Sequence, residues 1–153
     1  VRLGVDVGKV RIGVARSDAH GMLATPVVTV ARGGGDLAEI LGLAEEHGAV
    51  EIIVGLPLAL SGAHTASTND AANFAGDIAA RSSVPVRLVD ERLSTVSAQR
   101  ALRASGRSSR NSRAVIDQVA AVIILQHALD FERSAGNPPG ELVAPAEGSH
   151  RGE

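Results

Sequence analysis

Asp6 stands in the middle of an apolar run, "LGVDVGKVRIGVARSD". Leu3, Val5 and Val7 flank it, and Ile12 and Val14 follow after a short basic turn. An unpaired ionised Asp costs several kcal/mol or more when buried, so a strand that carries one demands a reason. Asp90 and Glu91 end a second apolar stretch, "VPVRLVDE", at a strand end of the kind where α/β sheets place their sites. Asp117 lies in "SRAVIDQVAAVIILQ". Helical spacing gives it Arg113, Ala120, Ala121 and Ile124 as neighbours, a small and apolar face that turns it toward a sheet. Each acid also has a plainer reading. Asp6 accepts hydrogen bonds from a turn, Asp90 and Glu91 form a solvated strand end, and Asp117 pairs with Arg113. Several carboxylates aimed at one spot, however, repel one another unless cations sit between them. The chain has no Cys, so the expected cofactor is a hard, oxygen-binding ion, Mg²⁺ or Mn²⁺. Two such ions about 3.5–4 Å apart clamp a phosphodiester, activate a water and stabilise the leaving oxygen.

The charge distribution points to the same class of substrate. The formal net charge is −2, and of 15 basic residues only Lys9 is lysine. Arg92, Arg100, Arg103, Arg107, Arg110 and Arg113 fall in one stretch that contains no Asp or Glu. A concentrated Arg patch on an otherwise acidic body holds a polyanion in one place. A charge run alone reads more simply as a solvated helix face with a loop. Here the patch lies between Glu91 and Asp117, so a bound polyanion would have its backbone delivered to the acids.

Those residues need a scaffold. The chain has 153 residues, 44% hydrophobic and 21% charged, which suits one globular domain with a full core. Aromatics are 1%, with Phe74 and Phe131 and no Trp or Tyr, so the core is aliphatic and base stacking is not the main grip on a nucleic acid. Strands are expected over 1–7, 11–16, 25–30, 50–55 and 84–91, with "VGKVR" as a tight hairpin in which Gly8 is free to take a positive φ. Helices are expected from Asp36 (a candidate cap) to His47, from Ser67 to Arg81, from Thr95 to Ala104 and from Arg113 to Glu132. Gly55, Pro57 and Gly62 read as shaping a loop over the site, Ser94 and Thr95 as capping the next helix, and Asp18 as bonding a turn. The pattern is α/β, a five-stranded mixed sheet with helices on both faces. The domain is expected over 1–133, followed by a Pro/Gly-rich flexible tail over 134–153. No basic, apolar and small-residue leader opens the chain and no run spans a bilayer, so the expectation is a cytoplasmic protein without a membrane partner.

The chain resembles the YqgF/RuvX family of ribonuclease H-like nucleases, also called Holliday junction resolvases. The match runs from Leu3 to Arg133. It rests on "LGVDVGKVRIGVARSD", "IIVGLPLALSG", "VDERLSTVSA" and "RAVIDQVAAVIILQ", in that order. The resemblance implies a ribonuclease H-like fold and a divalent-metal site built from Asp6, Glu91 and Asp117, which would then be both the metal ligands and the catalytic acids. Lys9, Arg92, Arg107, Arg110 and Arg113 are the expected nucleic-acid contacts. Two departures stand out: Val7 where many members carry an aromatic, and Lys9 where they often carry a small hydroxyl residue. Lys9 is expected to pair with Asp6 or to touch a phosphate. Glu91 poses a geometric difficulty, because the fourth strand lies between its own strand and that of Asp6. Asp90 is the substitute if Glu91 cannot reach.

Two activities follow from the resemblance: processing the 5′ end of pre-16S ribosomal RNA, and cutting four-way DNA junctions as a homodimer. Arg–phosphate contacts position a nucleic acid without specifying it, so the residues do not separate a structured RNA from a junction. The first hairpin also looks like that of the actin/sugar-kinase ATPases. Those enzymes clamp ATP between two such domains, this chain has room for one, and it lacks the phosphate-loop pattern. A nucleic-acid binder that does not cut is the remaining alternative, against which the presence of all three acids argues.

Overall fold

The computed structural model describes residues 1–59, 61–91 and 110–144, and within 110–117 it describes the backbone alone. The expected helix over 95–104, with Ser94, Arg92 and Arg107, lies outside the described residues.

Alternating apolar residues build the first hairpin, β1 (Arg2–Val7) against β2 (Arg11–Ser17), antiparallel with Asp6 opposite Gly13. The turn closes through Gly8 N–H donating to the Arg11 carbonyl at 2.9 Å. Gly8 does not use the positive φ open to it. It is needed for space, since a Cβ there would stand 2.6 Å from the Arg11 carbonyl oxygen. β3 (Ala24–Ala31) continues the meander on β2, with a bulge at Val14/Ala15 and Pro26 on the outer strand, where its missing N–H is tolerated.

The chain then crosses over. α1 (Asp36–Glu46) starts at an N-cap of Gly35 that makes no side-chain cap bond. Asp36 is thus the first helical residue and not the cap, and its carboxylate turns back to Gly33 N–H at 3.1 Å and Arg32 Nε at 3.4 Å. β4 (Glu51–Leu56) pairs parallel to β1, and β5 (Val86–Asp90) parallel to β4. Between them runs α2 (Ala66–Arg81), capped reciprocally by Thr65 and Thr68. The last helix, α3 (Arg110–Ala135), is longer than the expected 113–132. A sixth strand, β6 (Glu141–Leu142), then pairs antiparallel with β5. The sheet order is β3-β2-β1-β4-β5-β6, a mixed sheet one strand wider than the five expected. Residues 134–144, which read in sequence as the start of a flexible tail, contain the end of α3 and this strand.

The two faces of the sheet are packed differently. α1 and α2 cover one with Ile40, Phe74 and Ile78, set against Leu3, Val5, Val14, Ile52 and Val54. α3 covers the other with Ala121, Ile124, Leu125 and Ala128, set against Ala15, Ile53 and Val89. That second layer is thin because α3 lies almost on the β1 backbone. A Cβ on Gly4 would stand 2.7 Å from Leu125 Cβ and 3.2 Å from the Ala121 carbonyl oxygen. At the amino ends of the parallel strands, buried Glu51 accepts from Arg2 Nε at 2.9 Å and Arg87 Nε at 3.0 Å, and Arg2 also reaches Glu132 on α3 at 3.0 Å. Among the described residues no helix is long and apolar enough to cross a membrane.

Two glycine substitutions should therefore act in opposite directions. Gly4→Ala forces a Cβ–Cβ clash in a close-packed layer and should lower stability by about 1–3 kcal/mol. Gly42→Ala fills empty space on an exposed turn of α1 and should raise it by about 0.5–1 kcal/mol. Urea unfolding midpoints measure both.

Candidate active site

Strand alternation sets the site. Leu3, Val5 and Val7 point into the α1/α2 layer, so Gly4 and Asp6 belong to the α3 side. Asp6 lies at the carboxyl end of β1, half-buried, with Gly13 beside it on β2. On β5, Val86 and Leu88 pack into the α1/α2 layer and Val89 into the α3 layer. Asp90 continues the first set and Glu91, just beyond the strand, the second.

Glu91 does cross the sheet. Its side chain lies over β4 at Gly55, where a Cβ would stand 2.6 Å from Glu91 Oε2. Its carboxyl is hydrogen-bonded to Asp6. Burial first, then the negative charge of Asp6, then the hydrogen bond to Asp6 and the charge of Asp90 push the Glu91 carboxyl up to about 8. At neutral pH, Glu91 therefore keeps its proton and hydrogen-bonds through it to Asp6. Asp90 adds its negative charge to the field at Glu91. The intervening strand therefore does not keep Glu91 from Asp6.

The other expected site residues are placed less fully. Asp117 is on α3, four residues before Ala121 and seven before Ile124, in register with the row that packs on the sheet. Its side chain is outside the described residues, as are those of Arg110 and Arg113 on the first turn of the same helix. Among the described residues no group of three His, Cys, Asp or Glu side chains assembles, so the convergence on view is the Asp6–Glu91 pair. Next to Asp117, Gln118 Nε2 donates to Thr29 Oγ1 at 3.0 Å. Thr29 pairs with Gly13, which pairs with Asp6, so α3 is tied to the same row of the sheet. Lys9 is exposed at the tip of the hairpin.

Sequence reasoning missed Arg32. Its Nη1 donates to the Gly8 carbonyl at 2.7 Å, and its two Nη atoms grip Asp70 at 2.9 and 3.1 Å. The guanidinium lies over the Phe74 ring, 5.3 Å from its centroid. One side chain thus ties the hairpin that follows Asp6 to the start of α1 and to α2, and those bonds hold the Asp70 carboxyl below its ordinary range. The sequence carries no pairwise signal for this, because Asp70 is 38 residues away. Gly55, read as part of a loop, is inside β4. The loop proper follows it. Gly62 (φ +92°) closes a turn on Ala59 at 2.7 Å, and Thr68 Oγ1 donates to the Pro57 carbonyl. Asp18 caps a turn as expected, accepting from Met22 N–H at 2.7 Å and Leu23 N–H at 2.9 Å, which lowers its carboxyl below the usual range.

The proton on Glu91 makes stability depend on pH. The folded value of about 8 lies above the ordinary 4.5, so between these values the native chain holds a proton that the unfolded chain has lost. Stability should fall as pH rises through that window, by up to about 1.4 kcal/mol per pH unit from this group. Glu91→Gln keeps a neutral donor and should flatten the dependence. Urea titrations in chelator from pH 5 to 8 test it.

Comparison with known proteins agrees with this architecture. The family model described as "RuvX: Holliday junction resolvase" matches residues 1–131. A relative from Clavibacter michiganensis subsp. michiganensis, named "Putative pre-16S rRNA nuclease", is 66% identical over 145 residues, covering 93% of this chain and 90% of its own. A relative of the same name from Leifsonia xyli subsp. xyli is 62% identical over 147 residues, covering 95% of each chain. Among solved structures, T. thermophilus RuvC in complex with a Holliday junction substrate superposes with a TM-score of 0.54 at 13% identity, over 90% of this chain and 98% of that one. The fold is the ribonuclease H-like one that the motifs implied. With a match that runs from the first strand nearly to the end of α3, the chain belongs to the RuvX Holliday junction resolvase family.

Proposed function

We propose that the protein is a divalent-metal-dependent phosphodiester hydrolase that trims the 5′ end of pre-16S ribosomal RNA. The observation that carries this reading is the Glu91 carboxyl lying across a strand against Asp6. Two half-buried acids in hydrogen-bond contact repel once both ionise, and a cation between them removes that repulsion. The donor set is hard oxygen, with no sulfur ligand in the chain, as Mg²⁺ or Mn²⁺ requires. Asp6 and Glu91 would hold the metal, and Asp117 is the proposed third ligand and third catalytic acid. Bound there, one or two such ions supply a lowered water pKa and neutralise charge on the phosphate.

The chain's own residues supply the rest. The hairpin fixed by Arg32 presents Lys9 to solvent three residues after Asp6, and Lys9 is a proposed phosphate contact. Arg110 and Arg113 open α3, the helix that carries Asp117. With Arg92 and Arg107 they are the proposed grip on the sugar–phosphate backbone. With two Phe and no Trp or Tyr, recognition rests on shape and charge, which suits a structured RNA. This work belongs in the cytoplasm. The names of the relatives favour the RNA substrate. The description of the family, and the junction-bound RuvC of like fold, favour a second reading as a resolvase of four-way DNA junctions, in which two symmetric cuts need a homodimer.

The deciding experiment assays purified protein side by side on a pre-16S fragment and a four-way junction, with Mg²⁺ or Mn²⁺. Cleavage of the RNA alone is the expected result, and cleavage of the junction alone establishes the second reading. Asp6→Asn should abolish cleavage of the true substrate while binding is kept or tightened, because repulsion of phosphate falls. Cleavage that survives this change removes the metal model. Replacing Arg107, Arg110 and Arg113 with Ala should weaken binding to every sequence. It should also flatten the log–log salt dependence by roughly 0.7–0.9 for each phosphate no longer neutralised, and an unchanged slope means the patch faces elsewhere.

A further inference from the structure

Position 55 is the crossing point between the two acids. β4 lies between β1 and β5, so Asp6 and the end of β5 are separated by two strand spacings of about 4.7–4.9 Å each. The register pairs Val5 with Val54 and Gly55 with Val89, and one further step along β1 brings residue 6 beside residue 55. Glu91 fills the space above it. A Cβ at position 55 would stand 2.6 Å from Glu91 Oε2, 2.9 Å from Glu91 Cγ and 2.6 Å from Ile124 Cδ1 on α3.

The backbone does not ask for glycine there. Gly55 is inside a regular strand and is not among the positive-φ glycines. A strand glycine is also unfavourable, losing more freedom on folding than any other residue and leaving nothing to pack. Its missing side chain is what the site uses. We infer that Gly55 is a positioning residue: its empty face lets the Glu91 side chain lie across β4 onto Asp6, so the residue type at 55 decides whether the two acids meet. This rests on the metal reading given above for what the pair then does. The obstruction is one-sided. The atoms that a Cβ would strike, Glu91 Oε2 and Cγ and Ile124 Cδ1, are all side-chain atoms, so a methyl at 55 moves Glu91 and Ile124 and leaves the strand paired.

Three variants test it: Gly55→Ala, Gly55→Ala with Ile124→Ala, and Gly42→Ala as a glycine control away from the site. The readouts are the Glu91–Asp6 carboxyl distance in crystal structures and Mn²⁺ affinity by titration calorimetry. Gly55→Ala should separate the two carboxyls beyond hydrogen-bond distance and weaken Mn²⁺ binding about 10–100-fold, the range seen when a ligand-orienting interaction is removed. The double variant relieves the clash with α3 and leaves the clash with Glu91. It should therefore not regain Mn²⁺ affinity, while Gly42→Ala binds as the parent does. Glu91 still on Asp6 in Gly55→Ala, or parental affinity in the double variant, overturns the inference. A parent protein that binds no Mn²⁺ overturns the metal reading instead, and the carboxyl distance in the crystal structures still decides the role of Gly55.

Discussion

The contact between the Asp6 and Glu91 carboxyls is the interaction on which the site depends. Two acids meet where water is partly excluded, and the arrangement survives at neutral pH because one of them keeps its proton. A protein under selection for stability alone would not bring them together, since burial and like charge both oppose it. The pair is expensive in the way functional sites commonly are, and the rest of the molecule is arranged to hold it.

That holding is done by a fold with two unequal faces. The face under α1 and α2 is filled with large aliphatic side chains and resists deformation. The face under α3 is built from glycine, alanine and a few larger groups, so the helix sits close to the sheet. Close approach has a use: on a thin layer, side chains from α3, β1 and the end of β5 come within reach of one another. Arg32 braces the same region from the other side, tying the hairpin to two helices through one guanidinium.

Much of this is legible in the amino-acid order. An Asp inside an alternating apolar run can be recognised without coordinates, and so can the strand that ends in Asp90 and Glu91. The strands and helices are strongly periodic, and most fall within a few residues of where that periodicity puts them. What cannot be read are relations between distant segments. The Glu91 side chain reaches Asp6 over a glycine on a third strand, and no local pattern marks Gly55 as a crossing point. Gly8 sits in the expected turn for a different reason, because conformational freedom and the need for space both select glycine. Arg32 and Asp70 each look like ordinary surface residues until the fold joins them. The last strand is hidden by composition. "GNPPGELV" reads as linker, yet its paired residues lie beside β5.

That short strand has a consequence for how the molecule avoids its own kind. β5 would otherwise present an unpaired row of amides and carbonyls, an invitation to any extended chain in the cell. Glu141 and Leu142 occupy that row, and Val143 N–H donates to the Val86 carbonyl at 2.8 Å. Gly140, at φ +64°, lets the backbone come in tightly over Leu88, and the Pro139 carbonyl accepts from Arg87. The segment that looks most dispensable on paper is a selvedge: it finishes the cloth, and trimming it would leave a sticky border for self-association.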